Sequence, residues 1–181
     1  LTFIGNLASL QNLDAALFAA RDVLPLVRAK RPDASLRIVG RIDERRAEQL
    51  RALPGVTVTG EVDSIPDAVA SSSIGIAPMR IAAGVQNKVL EYAALGLPAV
   101  ITPMTLEGLD AVPGDQVLVA DGAQGLADAI VRLLDDPDLA ARMAANARTF
   151  VAQQYAWGVR LAPLVDAVLA ALLNCRGVRA D

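Results

Sequence analysis

Ile74-Gly75-Ile76-Ala77-Pro78-Met79-Arg80-Ile81-Ala82-Ala83-Gly84-Val85-Gln86-Asn87-Lys88-Val89-Leu90-Glu91-Tyr92-Ala93-Ala94-Leu95-Gly96-Leu97-Pro98-Ala99-Val100-Ile101-Thr102 reads as a strand, a loop, a helix and a second strand. Ile74–Ala77 is a short apolar run bounded by turn residues, as a buried strand requires. Val85 to Leu95 reads as helix, and Gly96 suits the left-handed position just past its C-terminus. Pro98–Thr102 is a second short β-rich run. Strand, helix and strand in succession are the repeating unit of a parallel sheet covered on both faces.

The same alternation extends in both directions. Upstream, Leu1–Ile4 is the first strand. Leu13 to Lys30 carries Leu13, Ala16, Leu17, Ala20, Val23 and Leu24 at helical spacing, with Pro25 expected to split or kink the helix. Ser35–Val39 is the second strand. Asp43 to Leu53 is a helix with Asp43 at its N-cap. Pro54-Gly55 makes a turn into the third strand, Val56–Thr59, and Ser64 to Ser71 is a short helix with Pro66 in its first turn. Downstream, Gln116–Ala120 is the sixth strand. Helices follow over Ala123–Leu134 and Asp138–Gln153, divided at Asp136-Pro137, and a last helix over Trp157–Leu173. The pattern predicts an α/β fold, a Rossmann-like doubly wound parallel sheet of six strands in the order 3-2-1-4-5-6. Residues 1–175 form one domain in this reading, and 176–181 a frayed C-terminal tail.

The bulk properties remove several function classes. The chain has 181 residues, a net charge of −3 and no histidine, which rules out histidine-based nucleophilic catalysis and most zinc sites. Cys175 is the sole cysteine, read as a small apolar residue or a reduced thiol, so no disulfide framework exists within the chain. The basic residues between Arg41 and Arg51 are interleaved with Asp43, Glu44 and Glu48. They read as a solvated helix face, and no nucleic-acid footprint is expected. Leu161 to Leu173 is the longest apolar stretch. It contains Pro163 and Asp166 and falls short of the ~20 residues that span a bilayer. The chain opens in a strand without an initiator Met, so a further N-terminal segment is expected, and no secretory leader is read.

Ligands of such sheets bind outside the carboxyl ends of the strands, where the strand order reverses. That selects the loop after strand one, Gly5 to Ser9, and the loop after strand four, Pro78 to Gly84. A helix opening near Gly84 presents free N–H groups and a positive dipole end to an anion. Lys88 adds a charge one turn on, and Arg80 a second from the loop. Glu91 follows Lys88 on the same side of the helix, where a carboxylate can accept two hydrogen bonds from a vicinal diol such as a ribose. Spacing alone equally allows Lys88 and Glu91 to be an ordinary exposed pair. The chain carries neither G-x-G-x-x-G nor a Walker A sequence.

The segment from Gly84 to Val100 resembles the donor-site signature of the group 1 (family 4) retaining glycosyltransferases. Phe3-Ile4-Gly5-Asn6-Leu7, Leu36-Arg37-Ile38-Val39-Gly40, Val56-Thr57-Val58-Thr59-Gly60-Glu61-Val62 and Tyr155-Ala156-Trp157 extend the likeness over nearly the whole chain. The Arg80, Gly84, Lys88 variant looks closest to a branch tied to exopolysaccharide export. The resemblance implies one half of a GT-B enzyme, namely its C-terminal, donor-binding domain, with an N-terminal acceptor domain elsewhere. It implies transfer of a sugar from a nucleoside diphosphate sugar to an acceptor hydroxyl with retention, and an isolated domain without activity. Gly5, Asn6, Arg80, Gly84, Val85 and Lys88 would meet the donor diphosphate, Glu91 the ribose, and Gly60, Glu61 and Val62 the base. Thr102 to Gly108 would lie near the sugar or the cleft, and the last helix would return toward the other domain. Trp157 and Tyr155 would dock that helix by packing.

No catalytic residue is assigned. No metal or other cofactor is expected, because cationic side chains and a helix end can take a divalent ion's place. The expected partners are the nucleotide-sugar donor and an acceptor glycan or lipid-linked sugar held mainly by the other domain. Localisation is expected to be cytoplasmic, peripheral at the inner face of the membrane, with membrane association through the other domain only. The sequence departs from the family in two places that matter: Ala83 stands where the first of two glutamates usually lies, and Asn6 and Asn12 occupy the neighbourhood after strand one where many members carry a basic residue, a charge that Arg80 would supply. A non-catalytic nucleotide- or anion-binding module and a sugar-nucleotide epimerase half therefore stay open as alternatives, although the lack of histidine counts against the epimerase.

Overall fold

The structure, a computed structural model, describes residues 1–81 and 84–177. Six strands alternate with helices: β1 (Thr2–Ile4), α1 (Leu10–Phe18), α2 (Leu24–Lys30), β2 (Leu36–Val39), α3 (Glu44–Arg51), β3 (Val56–Gly60), α4 (Ile65–Val69), β4 (Gly75–Ala77), α5 (Asn87–Leu95), β5 (Ala99–Ile101), α6 (Pro103–Leu106), β6 (Leu118–Val119), α7 (Gly122–Asp135), α8 (Pro137–Gln154) and α9 (Trp157–Gly177). The strands form one parallel sheet in the order β3-β2-β1-β4-β5-β6, as the pattern predicts.

Alternation along the strands builds a core on each face. Phe3, Ile38, Ile76 and Val100 pack with α1, α2 and α7 on one side. Their neighbours Ile4, Val39, Ala77 and Ile101 pack with Val89 and Tyr92 of α5 on the other. Local chemistry sets the helix ends. Asp43 accepts a hydrogen bond from Arg46 N at 3.0 Å and Ser64 Oγ one from Asp67 N at 3.3 Å, each such cap contributing ~1 kcal/mol. Gly96 closes α5 at φ 73°. Asp136 and Asp138, a D-x-D spacing, stand at the junction of α7 and α8, where Asp136 caps α8 through Leu139 N at 2.9 Å.

Three features depart from the sequence reading. The first helix begins at Leu10 and passes through a π-helical turn over Ala19–Val23 before α2. Pro25 explains its place: a proline lacks the N–H and crowds the carbonyl four residues back, and a wider turn just before it relieves both. The short helix α6 was not expected. Thr102 caps it, and two buried hydroxyls anchor it, Thr102 Oγ1 to Met79 O at 2.6 Å and Thr105 Oγ1 to Ala77 O at 2.8 Å. The last helix reaches Gly177, so Arg176 and Gly177 belong to α9 rather than to a tail. Residues 178–181 and the side chain of Cys175 lie outside the described residues.

At 21 residues α9 is also longer than the apolar stretch read from sequence, and it runs through Pro163. The helical run Pro137–Leu172 holds an 18-residue window of mean hydropathy 1.4, none of it buried, which by length and composition alone suffices to cross a membrane.

The sheet is pried open at its middle. β1 and β4 share a single register pair, Thr2↔Gly75, and Thr2 N donates to Ile74 O at 2.9 Å. One step further on, the Tyr92 hydroxyl takes the place of the ladder bond. It accepts from Ile4 N at 2.9 Å and donates to Ile76 O at 3.1 Å. Tyr92 is fully buried, and its ring lies so close to β4 that a Cβ on Gly75 would sit 2.4 Å from ring carbon Cγ. Gly75→Ala should therefore destabilise the fold by about 1–3 kcal/mol through overpacking. Thermal unfolding checks this, and an unchanged midpoint would mean that the ring has room to retreat.

Candidate functional site

Parting β1 from β4 leaves a crevice at the carboxyl rim of the sheet, where the strand order reverses. A cavity of about 340 Å³ occupies it. Ile4, Gly5, Gln11 and Asn12 wall one side, and Val85, Gln86, Asn87, Lys88 and Glu91 the other. The loop after β1 and the start of α5 are thereby brought together, as the sequence reading required.

α5 starts at Asn87, two residues later than read from sequence, because Gly84 turns the chain at φ 64° and Gln86 remains extended as N-cap. The Gln86 side chain makes no capping hydrogen bond at this end, and the first N–H groups of a helix, which lack intrahelical partners, are suited to an anion. Lys88 lies one residue inside the helix and is only 8% exposed. Its ammonium donates to Asn12 Oδ1 at 3.0 Å, to Gln86 Oε1 at 3.3 Å and to Met79 Sδ at 3.8 Å, and lies 5.5 Å from the Phe3 ring centroid. Burial lowers its pKa from the ordinary lysine value, against a smaller raising effect of the Glu91 carboxylate. Glu91 is exposed and lines the cavity one turn beyond Lys88.

The other expected residues fall in three groups. Gly5 and Val85 line the cavity. Asn6 and Gly84 lie beside it without lining it. The Asn6 side chain accepts from Ala8 N at 3.0 Å, and its carbonyl accepts from Asn12 Nδ2 at 3.0 Å. Arg80 does not open onto the cavity. It is tied to Asp14 of α1 by hydrogen bonds of 3.0 and 2.5 Å and lies 4.5 Å over the Phe18 ring. Its pKa is raised, chiefly by the hydrogen bond to Asp14. Gly60, Glu61 and Val62 stand at the end of β3, two strands from β1, and form none of this wall. Ala83 lies outside the described residues. Asn12, which sequence reasoning put in the neighbourhood of the loop after strand one without giving it a role, is central to the site. The contact that makes it so spans 76 positions and leaves no local signal.

Two backbone contacts fix the loops from behind. A Cβ on Gly40 would stand 2.1 Å from Gly5 O, and one on Gly108 2.2 Å from Gly84 O. A second groove of about 440 Å³ adjoins the first through Val85 and Asn87 and includes Tyr155, Trp157 and Arg160. Trp157 is 79% exposed there and is not the packed anchor expected. Tyr155 does pack, 5.3 Å from the Phe150 ring, and its hydroxyl accepts from Asp110 N at 3.2 Å. Among the described residues no group of three or more Cys, Asp or Glu gathers closely enough to hold a metal ion.

The family model described as glycosyl transferases group 1 matches residues 1–136. No curated protein matches the sequence. Among solved structures, Anabaena HepE in complex with UDP and glucose is 16% identical with a TM-score of 0.73, the match covering 93% of this chain and 47% of that one. Sucrose-phosphate synthase from Thermosynechococcus elongatus is 21% identical with a TM-score of 0.71, covering 94% and 45%. The C-terminal domain of a group 1 family protein, LpcC, from Francisella tularensis is 16% identical with a TM-score of 0.63, covering 86% of each. At these identities the likeness speaks for the fold. The chain spans about half the length of the first two.

Proposed function

The chain belongs to the group 1 glycosyl transferases, and from that membership we propose that it is the donor-binding half of an enzyme that moves a sugar from a nucleoside diphosphate sugar to an acceptor hydroxyl, with retention at the anomeric carbon. The observation that carries this reading is the rim cavity, where the Lys88 ammonium, the open end of α5 and the Glu91 carboxylate face the Gly5 turn. A diphosphate seated there meets the backbone around Gly5 and Val85 and the charge of Lys88. Glu91, one turn further, accepts from the ribose hydroxyls. As the bond to the sugar breaks, negative charge grows on the leaving diphosphate. Donors already in place, in a site partly shielded from water, stabilise that charge more than they stabilise the bound donor.

In this proposal Lys88 and the helix end serve without a metal ion, and Arg80, already paired with Asp14, adds only a distant field. The acceptor, a glycan or a lipid-linked sugar, is held mainly by the other half of the enzyme, in the cytoplasm. HepE's complex with UDP and glucose makes a UDP-sugar the first donor to try.

Calorimetric titration of UDP-, GDP- and ADP-sugars tests the reading, and absence of saturable binding by all three overturns it. Glu91→Gln is expected to lower nucleoside diphosphate affinity about tenfold, the effect of losing one charge-assisted hydrogen bond, while leaving pyrophosphate affinity unchanged. An equal loss for both ligands would place Glu91 away from the ribose.

A further inference from the structure

Two cations stand near the crevice, and they are treated oppositely. Arg80 is given a carboxylate, Asp14, through two hydrogen bonds. Lys88, far more buried, donates to two carboxamide oxygens and a thioether, and no salt bridge to it occurs among the described residues. Asn12 makes the shortest of these contacts. Its amide nitrogen meanwhile donates to Asn6 O at 3.0 Å, and its Cγ lies 3.0 Å from where a Cβ on Gly5 would stand. One uncharged side chain thus joins the turn after β1 to the ammonium of α5. Aspartate has almost the same shape but carries a charge and cannot donate to Asn6 O, so Asn12 supplies neutrality toward Lys88 together with the donor that holds the turn.

We propose that Asn12 is a positioning residue that aims the Lys88 ammonium into the rim cavity without neutralising it, leaving the charge free for the diphosphate. The proposal rests on the nucleotide-donor reading. A carboxylate at position 12 would form an ion pair with Lys88, and an incoming diphosphate would then share the cation with it and meet its repulsion. A nucleoside, which carries no phosphate, would meet neither effect.

Asn12→Asp and Asn12→Leu, the second with the same heavy-atom branching, no charge, no acceptor and, like aspartate, no donor for Asn6 O, are to be titrated with UDP, inorganic pyrophosphate and uridine. Asn12→Asp is expected to lose tenfold to a hundredfold affinity for UDP and pyrophosphate and none for uridine, and Asn12→Leu is expected to lose less. A lysine-selective NMR titration without ligand should show Lys88 of Asn12→Asp deprotonating at higher pH than in the wild type. Unchanged UDP and pyrophosphate affinity in Asn12→Asp overturns the proposal. So does a parallel loss of uridine and UDP in both variants, which would mark a purely structural role. A wild type that binds pyrophosphate but no nucleotide overturns the donor reading alone, and the pyrophosphate comparison then decides this one. A wild type that binds none of the three overturns both.

Discussion

Lys88→Ala is expected to weaken binding of UDP or GDP by about 1.5–3 kcal/mol, the range for a hydrogen bond to a charged group, or roughly ten- to 150-fold in dissociation constant. The size follows from where the ammonium sits. It is buried at the cavity wall, neutral oxygens hold it there, and no salt bridge to it occurs among the described residues, so its attraction for a phosphate is weakened little by water, and the Glu91 carboxylate acts on it only as a smaller effect. Stability should not fall in parallel, because a desolvated cation with no salt bridge among the described residues adds little to the folded state. Calorimetry on wild type and variant measures the first effect and thermal unfolding the second. Equal affinities would remove Lys88 from the site.

Tyr92→Phe is expected to lower global stability by about 2–5 kcal/mol. The ring and its packing survive, but Ile4 N and Ile76 O lose the hydroxyl that bridges them at 2.9 and 3.1 Å. Each stranded buried backbone group costs about 1–3 kcal/mol. Burial also raises the pKa of Tyr92 well above the ordinary tyrosine value, so the bridge stays a neutral hydroxyl with one proton to give and a lone pair to accept. Urea unfolding checks the figure. A variant as stable as the wild type would show that the strands can close on each other, and the crevice would then owe nothing to this hydroxyl.

Tyr92 also marks the limit of what the sequence carries. Its place on α5 was readable, since the sequence reads as helix from Val85 to Leu95. Its role as a rung between two strands depends on Ile4, 88 positions away. Short-range chemistry was readable in Asp43 as a cap, Pro66 in the first turn of α4 and Gly96 as a helix end, and the alternation of elements carried the six strands with their order. Errors arose where long-range contacts overrode local preference. The apolar period from Leu13 to Lys30 says nothing of an extra residue in one turn. The α6 helix exists because Thr102 and Thr105 reach carbonyls of the β4 segment. Lys88 and Glu91 were legible as a charged edge. The partners that decide what each cation can do, Asn12 for Lys88 and Asp14 for Arg80, were not.

The contacts behind Gly5 and Gly84 bear on how this crevice can change. Gly40 and Gly108 line neither cavity wall of the rim site, yet a methyl group on either would collide with a loop carbonyl about 2 Å away. Mutational drift at those two positions is closed, and a library that randomises them would return mostly misfolded clones. Altered ligand preference at the rim cavity is instead to be sought through Gln11, Val85 and Asn87. These residues border the opening with exposed side chains and can be exchanged without moving the backbone that supports them.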